Sequence, residues 1–337
     1  MINGILNIYK EKGYTSHDVV ARLRGIAGQK KIGHTGTLDP EAEGVLPVCL
    51  GRATKVCDML TDKDKTYEAV LLLGRVTDTQ DTTGKVLSER PVNDPDLPGG
   101  PVTEQKAEEC IRGFIGTYDQ IPPMYSALKV GGKKLYELAR EGKTVERRSR
   151  KVLIHDIRVK EVFLPRVRME VDCSKGTYIR TLCHDIGEKL GVGGCMESLL
   201  RTRVGRFRLE ESLRLADVED HAKNGNLSQI LLPLDSVFPE LRQVVLKDGA
   251  VSLGYNGNPF CLKHVVRQPG GAEPAGAPEQ KSCAAGPADG ERFSVYDSRE
   301  RFIGIYRYEG KRGQFRLEKM FLDPDGLSAG KTEKKDR

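Results

Sequence analysis

The chain has no Cys-x-x-Cys pair among its eight cysteines, no apolar run long enough to span a bilayer, no internal repeat and no glycine-rich phosphate loop. Each absence removes a class of protein. Cysteines set among apolar neighbours, as Cys49, Cys110, Cys173 and Cys183 are, read as reduced and buried rather than as a disulfide framework or a zinc site. The N-terminal apolar run Ile5–Tyr9 is short and is cut by Lys10, so no secretory signal is expected. With no spanning segment either, a cytoplasmic location is expected. Strong charge of one sign is also missing. Lys and Arg exceed Asp and Glu by 54 − 48 = 6, which permits a polyanionic partner without requiring one.

The 337 residues that are present suffice for one large domain and one small one. Residues 4–9 read as a strand, and Ser16 as the N-cap of a helix with Val19, Val20, Leu23 and Ile26 on one face and Gly28 as its stop. Residues 66–74 read as a strand. Thr103 caps a helix with Ala107, Cys110, Ile111 and Phe114 on its apolar face. Residues 151–163 and 166–173 read as an antiparallel pair, and 177–190 as a helix. Pro233 to Pro239 marks a boundary, giving a first domain of 1–238 and a second of 241–325. Ala250–Leu253, Phe260–Val266, Arg292–Tyr296 and Phe302–Tyr308 read as its short strands. The Gly-, Pro- and Ala-rich segment 268–291 is expected to be disordered, and 326–337 to be a polar tail. The expected class is α/β (α+β): a mixed, mainly antiparallel sheet flanked by helices, then a small β domain.

Chemistry concentrates in Gly33-His34-Thr35-Gly36-Thr37-Leu38-Asp39-Pro40, which runs into the apolar stretch Gly44–Gly51. A single carboxylate in a loop of small residues on a rigid support is how a reactive acid is exposed. A Leu-Asp-Pro step also serves as an ordinary turn, and both readings stand at this point. Glu41, Glu43 and His34 near Asp39 raise a metal-dependent hydrolase as a rival, although one histidine without Asp-x-Asp spacing defines no ligand set. Arg180 lies in the first turn of its helix, where a cation opposes the helix dipole and calls for an anion beside it. Asp39 is the candidate, with Asp185 and Glu188 the local alternatives. Tyr67 at a strand end and Tyr178 beside Gly176 read either as packing or as platforms for a nucleobase. Basic residues cluster at Lys129, Lys133, Lys134, Arg147, Arg148, Arg150 and Lys151, and again at Arg201, Arg203, Arg206 and Arg208.

Six ordered blocks lie within about residues 2–238: Lys10–Ser16, His34–Gly51, Lys65-Thr66-Tyr67, Thr77–Gly84, Ile121–Tyr136 and Ser174–Leu182. Together they resemble the bacterial TruB family, the tRNA pseudouridine-55 synthases. The resemblance implies a pseudouridine synthase fold with a PUA-like C-terminal domain, and conversion of the T-loop uridine of tRNA to pseudouridine without a cofactor or metal. It implies that Asp39 is the nucleophile, that Arg180 pairs with it, and that Tyr67 stacks on the uracil and takes part in proton removal. Tyr178 and Leu199 then line the base pocket, Lys10 helps build it, His34 meets the RNA where the base was, and Asp81 shapes the cleft. The segment 119–150, with Lys129, Lys133 and Lys134, becomes a clamp on the RNA, and Arg201 a contact to its backbone. The implied partner is the tRNA T arm, engaged by a monomer with no guide RNA and no membrane. Glu11 stands where the family usually has proline, and Leu200 where it usually has arginine, which predicts a weaker grip on RNA there. The alternative is a non-catalytic tRNA-binding or chaperone protein on the same fold.

Overall fold

The computed structural model describes residues 1–97, 99–266 and 286–322, and the chain divides into two units, Met1–Leu231 and Leu232–Arg337. The elements of the first unit are β1 (Gly4–Lys10), α1 (Ser16–Ala27), β2 (Ile32–His34), β3 (Glu43–Leu50), α2 (Cys57–Thr61), β4 (Lys65–Leu73), β5 (Arg75–Thr77) and β6 (Val86–Glu89). They continue with α3 (Glu104–Arg112), β7 (Gly116–Gln120), β8 (Lys129–Val130), β9 (Lys133–Lys134), α4 (Leu135–Arg140), β10 (Arg150–Phe163), β11 (Arg166–Cys173), α5 (Ile179–Lys189), β12 (Gly194–Val204), β13 (Phe207–Arg208) and α6 (Leu215–Lys223).

A mixed sheet runs in the order β1-β3-β12-β4-β11-β10-β7, with β2 on β3 and β13 on β12. Its neighbours are antiparallel except β3 and β12, which meet in parallel over Leu200–Glu43 and Arg201–Gly44. Gly44 permits that meeting: its φ is +103°, and a Cβ there would lie 2.3 Å from the Arg201 carbonyl oxygen. One core packs α3 and α5, through Ala107, Ile111, Leu182 and Ile186, on Leu71, Met169 and Val171. A second packs α1 and α6, through Val19, Leu23, Leu215 and Val218, on Leu6, Ile8, Leu46 and Val48. Helix α5 lies close on β12 because Gly187 faces the Gly193–Gly194 backbone, where a Cβ would stand 2.1 Å from the Gly194 nitrogen.

The second unit contains β14 (Arg242–Leu246), α7 (Val251–Tyr255), β15 (Phe260–Cys261), β16 (Val265–Val266), β17 (Arg292–Tyr296), β18 (Phe302–Glu309) and β19 (Gln314–Met320). Its sheet order is β15-β19-β18-β17-β14-β16, around a core of Phe260, Phe293, Tyr306 and Phe315. The α/β class and the small C-terminal β domain match the sequence expectation.

Several local expectations change. Thr15, not Ser16, caps α1: its hydroxyl accepts from the Asp18 amide and the Asp18 carboxylate accepts from the Thr15 amide, which frees Ser16 for the loop described below. Ala250–Leu253 begins a helical turn rather than a strand, a short apolar run being compatible with either. Phe260–Val266 is two short strands around a 3-10 turn. Residues 232–238 group with the second unit, since Phe238 packs against Phe302 and Phe321. Residues 268–285 and 326–337 lie outside the described residues, while 286–291 lead into β17 through a turn in which the Glu291 carboxylate accepts from the Ala288 amide. Among the described residues no helix is long and apolar enough to cross a membrane.

Candidate active site

The Asp39 loop joins β2 to β3 and is fastened at both ends. Before the aspartate, the Ser16 hydroxyl accepts from the Leu38 amide at 2.9 Å and donates to the Leu38 carbonyl. After it, the Pro40 carbonyl accepts from the Gly13 amide at 2.9 Å and from the Lys10 ammonium at 3.0 Å. Lys10 is fully buried, and its ammonium also donates to the carbonyls of Glu11 and Tyr14. Burial pushes its pKa down to about 8. Lys10 therefore holds the loop from inside, through the Pro40 carbonyl.

Arg180, in the first turn of α5, meets the anion its position demands. Its Nε lies 2.9 Å from Asp39 Oδ2 and 3.9 Å from Asp81 Oδ2. Nη1 donates to the Thr79 carbonyl at 2.9 Å and Nη2 to the Tyr125 carbonyl at 2.8 Å. The guanidinium is buried, whereas the Asp39 side chain is 41% exposed. A buried, fixed cation thus steadies a carboxylate that remains open on one side. Asp81 is held in turn by the Thr79 and Thr83 hydroxyls and the Thr83 amide. The loop between them takes a left-handed residue, Gln80 (φ +62°), whose side-chain oxygen accepts from the Thr181 hydroxyl. That contact ties the loop to α5.

Asp39 and Arg180 open onto a cavity of about 490 Å³, whose walls include Tyr67, Ser126, Tyr178 and Leu199. Tyr67 and Leu199 come from adjacent strands, β4 and β12, where Leu199 faces Ala69 and Arg201 faces Tyr67. Burial raises the Tyr67 phenol above its ordinary pKa, and the charge of the nearby Arg201 guanidinium works against that rise. Tyr178 sits just before α5, its backbone amide and carbonyl both held by the Gln120 side chain. Five of the sequence-predicted groups thus share one cavity with Asp39: Tyr67, Tyr178, Arg180, Leu199 and Arg201.

Arg201 corrects the sequence reading. It is 1% exposed, with Nε donating to the Val45 carbonyl at 2.7 Å and Nη2 to the Gly36 carbonyl. The parity of β12 turns it inward, where it braces the Asp39 loop against β3 beside Tyr67 instead of presenting its charge on the surface. Arg203, of the same basic cluster, is engaged with Thr66 and Asp172. His34 ends β2 beside the loop, edge-on to His17 at 5.4 Å, with its pKa lowered by burial. It is not among the cavity-lining residues. Lys129, Lys133 and Lys134 lie on the β8–β9 hairpin, where Lys133 pairs with Glu141 and Lys134 donates to the Tyr136 hydroxyl. Glu41 pairs with Lys12 and Glu43 accepts from the Tyr9 hydroxyl. Among the described residues no group of three His, Cys, Asp or Glu side chains is placed to hold a metal. Sequence reasoning singled out neither Lys65 nor Ser126, both in the cavity wall. Ser126 stood inside a recognised block, but nothing in its neighbours' chemistry marked it.

Comparison with known proteins places these features in a family. Residues 24–179 match the model of the TruB family pseudouridylate synthase N-terminal domain, and 180–239 that of the tRNA pseudouridylate synthase B C-terminal domain. The chain is 50% identical over 329 residues to tRNA pseudouridine synthase B of Lachnoclostridium phytofermentans, covering 95% of this chain and 100% of that one. It is 45% identical over 262 residues to the same-named protein of Bacillus pumilus, covering 76% of this chain and 83% of that one. Among solved structures it is similar to a chain of an H/ACA RNP bound to a substrate RNA containing 2′-deoxyuridine, with 26% identity, TM-score 0.68, and coverage of 96% of this chain and 86% of that one. A chain of a Cbf5-Nop10-Gar1 complex gives 27% identity and the same TM-score of 0.68 over the same shares.

Proposed function

The chain belongs to the TruB family of pseudouridylate synthases, enzymes that isomerise uridine in tRNA, and from that premise we propose that its target is the T-loop uridine, position 55, and that Asp39 is the nucleophile. The observation that carries this reading is the Asp39–Arg180 pair at 2.9 Å on the wall of a cavity lined by Tyr67, Tyr178 and Leu199.

The reaction breaks the bond from ribose C1′ to uracil N1, turns the base, and joins C5 to the same carbon. The C5 proton leaves and N1 gains one, so atoms and electrons balance within the nucleoside. An ionised carboxylate opens the sequence, and Arg180 favours that ionised form. Tyr67 and Tyr178 offer faces for the uracil, and Leu199 helps exclude water, which would divert the reaction to hydrolysis. A T-loop uridine must first leave its stack, at a cost of about a few kcal/mol. Contacts to phosphates from the 119–150 clamp, where Lys129, Lys133 and Lys143 are exposed, offset that cost. In this reading the first unit, Met1–Leu231, carries catalysis and the second contains the PUA-like domain. The tRNA T arm is the partner, without guide RNA.

The test uses purified protein and an unmodified tRNA transcript tritiated at uracil C5. Wild type releases tritium, with the product at the uridine of the TψC sequence. Asp39→Asn lowers the rate by about 10⁴-fold or more while tRNA affinity stays within a few fold. Wild-type protein that binds the transcript but releases no tritium would make the chain a tRNA-binding protein and sink the proposal.

A further inference from the structure

One polar group in the cavity wall has no partner in the free protein. The Ser126 side chain is 95% buried (5% exposed), and its Oγ makes no hydrogen bond. It lies beside the Tyr178 hydroxyl, close enough to act on that group's titration, but without the geometry of a formed bond. A buried hydroxyl left unsatisfied destabilises a fold, and native structures keep few of them.

The position of Ser126 is fixed from both sides. Its amide donates to the Met124 carbonyl at 2.9 Å and its carbonyl accepts from the Tyr136 amide at 3.1 Å. Buried Pro122 and Pro123 precede it. The neighbouring Tyr125 carbonyl accepts from Arg180 Nη2 at 2.8 Å, so the backbone that presents Ser126 is bonded to the guanidinium that holds Asp39. None of these bonds uses the hydroxyl. The backbone sets Ser126 in place without using its hydroxyl, and Ser126 is among the residues that line the cavity with Asp39, Tyr178 and Arg180.

We propose that Ser126 is a substrate-contacting residue whose hydroxyl hydrogen-bonds an oxygen of the extruded nucleoside. This rests on the reading of the Asp39 cavity as the nucleoside site. The clamp then does more than hold phosphates: it delivers a polar group to the reacting nucleotide, and the same backbone completes the coordination of Arg180. The hydroxyl is unsatisfied before binding and satisfied after it, which makes binding energy depend on the clamp being seated.

The experiment compares wild type, Asp39→Asn and Ser126→Ala as full chains on an unmodified tRNA transcript, with thermal unfolding measured alongside. Ser126→Ala removes no hydrogen bond from the free protein, so its Tm equals or exceeds that of wild type. Its kcat/KM falls about tenfold, the worth of one hydrogen bond. A second transcript carries 2′-deoxyuridine at the target. If the Ser126→Ala penalty vanishes there, the contact is to the 2′-hydroxyl; if it persists, the contact is to another oxygen of the nucleoside, and either result supports the inference. An unchanged kcat/KM on the ordinary transcript overturns it, as does a Tm that drops in step with activity. If wild type makes no pseudouridine, the reading of the site fails first, whatever Ser126 does.

Discussion

Four cations are buried in the first unit, Lys10, Lys65, Arg180 and Arg201, whereas the buried charge of the second unit, among the described residues, is Asp297. Asp297 is closed on itself. Its carboxylate accepts from the amides of Arg299 and Arg301, the Arg301 guanidinium and the Tyr255 hydroxyl. Burial works against its charge, but those bonds prevail and hold its pKa below the ordinary carboxylate value. Of the four cations, only Arg180 is ion-paired; Lys10, Lys65 and Arg201 donate to backbone carbonyls. Three of the four, Lys65, Arg180 and Arg201, line the cavity. A buried charge with its full set of partners stabilises a turn. A surplus of one sign around a cavity prepares that cavity for a ligand of the other sign, and RNA brings it.

If that distinction holds, mutations in the two units separate stability from catalysis in opposite directions. Arg201→Met removes the brace between Gly36, Val45 and Tyr67. It should lower kcat about 100-fold, while stability falls by no more than about 1–2 kcal/mol for two orphaned carbonyls, because removing the buried charge partly compensates. Equal rates for variant and wild type, measured below both melting transitions, would show Arg201 to be packing alone. Asp297→Asn should do the reverse. It weakens four hydrogen bonds to a charged acceptor and costs the second unit about 2 kcal/mol, read by denaturant unfolding, with kcat unchanged. A catalytic defect there without a stability loss would erase the contrast.

The same contrast explains what the sequence could and could not reveal. The Asp39–Arg180 pair was legible because a cation in the first turn of a helix needs an anion, and motif resemblance favoured the loop carboxylate over the local alternatives Asp185 and Glu188. Tyr67, Tyr178 and Leu199 came through motif resemblance and do meet in one cavity. Arg201 was misread because a run of arginines shows charge and not partners. Only the parity of β12 places residue 201 inside, and that strand is itself hidden by two leading glycines and its internal arginines. Ser126 was invisible for a related reason: a missing hydrogen bond is a property of the packed structure and leaves no trace in residue type.

Titration gives the smallest effect and the finest test. Lys10 and Lys65 are both pushed down to about 8, chiefly by burial, from 10.5. Between those values the unfolded chain keeps protons that the folded chain has released, so the stability of the first unit rises with pH through that window. Below about 8 both states are protonated and the effect is absent. From pH 8 to 9.5 wild type should gain about 1 kcal/mol relative to Lys10→Met, because carbonyl contacts to the ammonium offset part of the burial. Activity should move the other way. A neutral amine has two hydrogens for the three carbonyls around Lys10, so the hold on Pro40 and the Asp39 loop loosens as stability rises. The second unit buries no lysine among its described residues and contributes nothing to this slope. Identical pH slopes in wild type and Lys10→Met would mean that the carbonyl cage keeps the ammonium charged, and that loop rigidity does not depend on pH in this range.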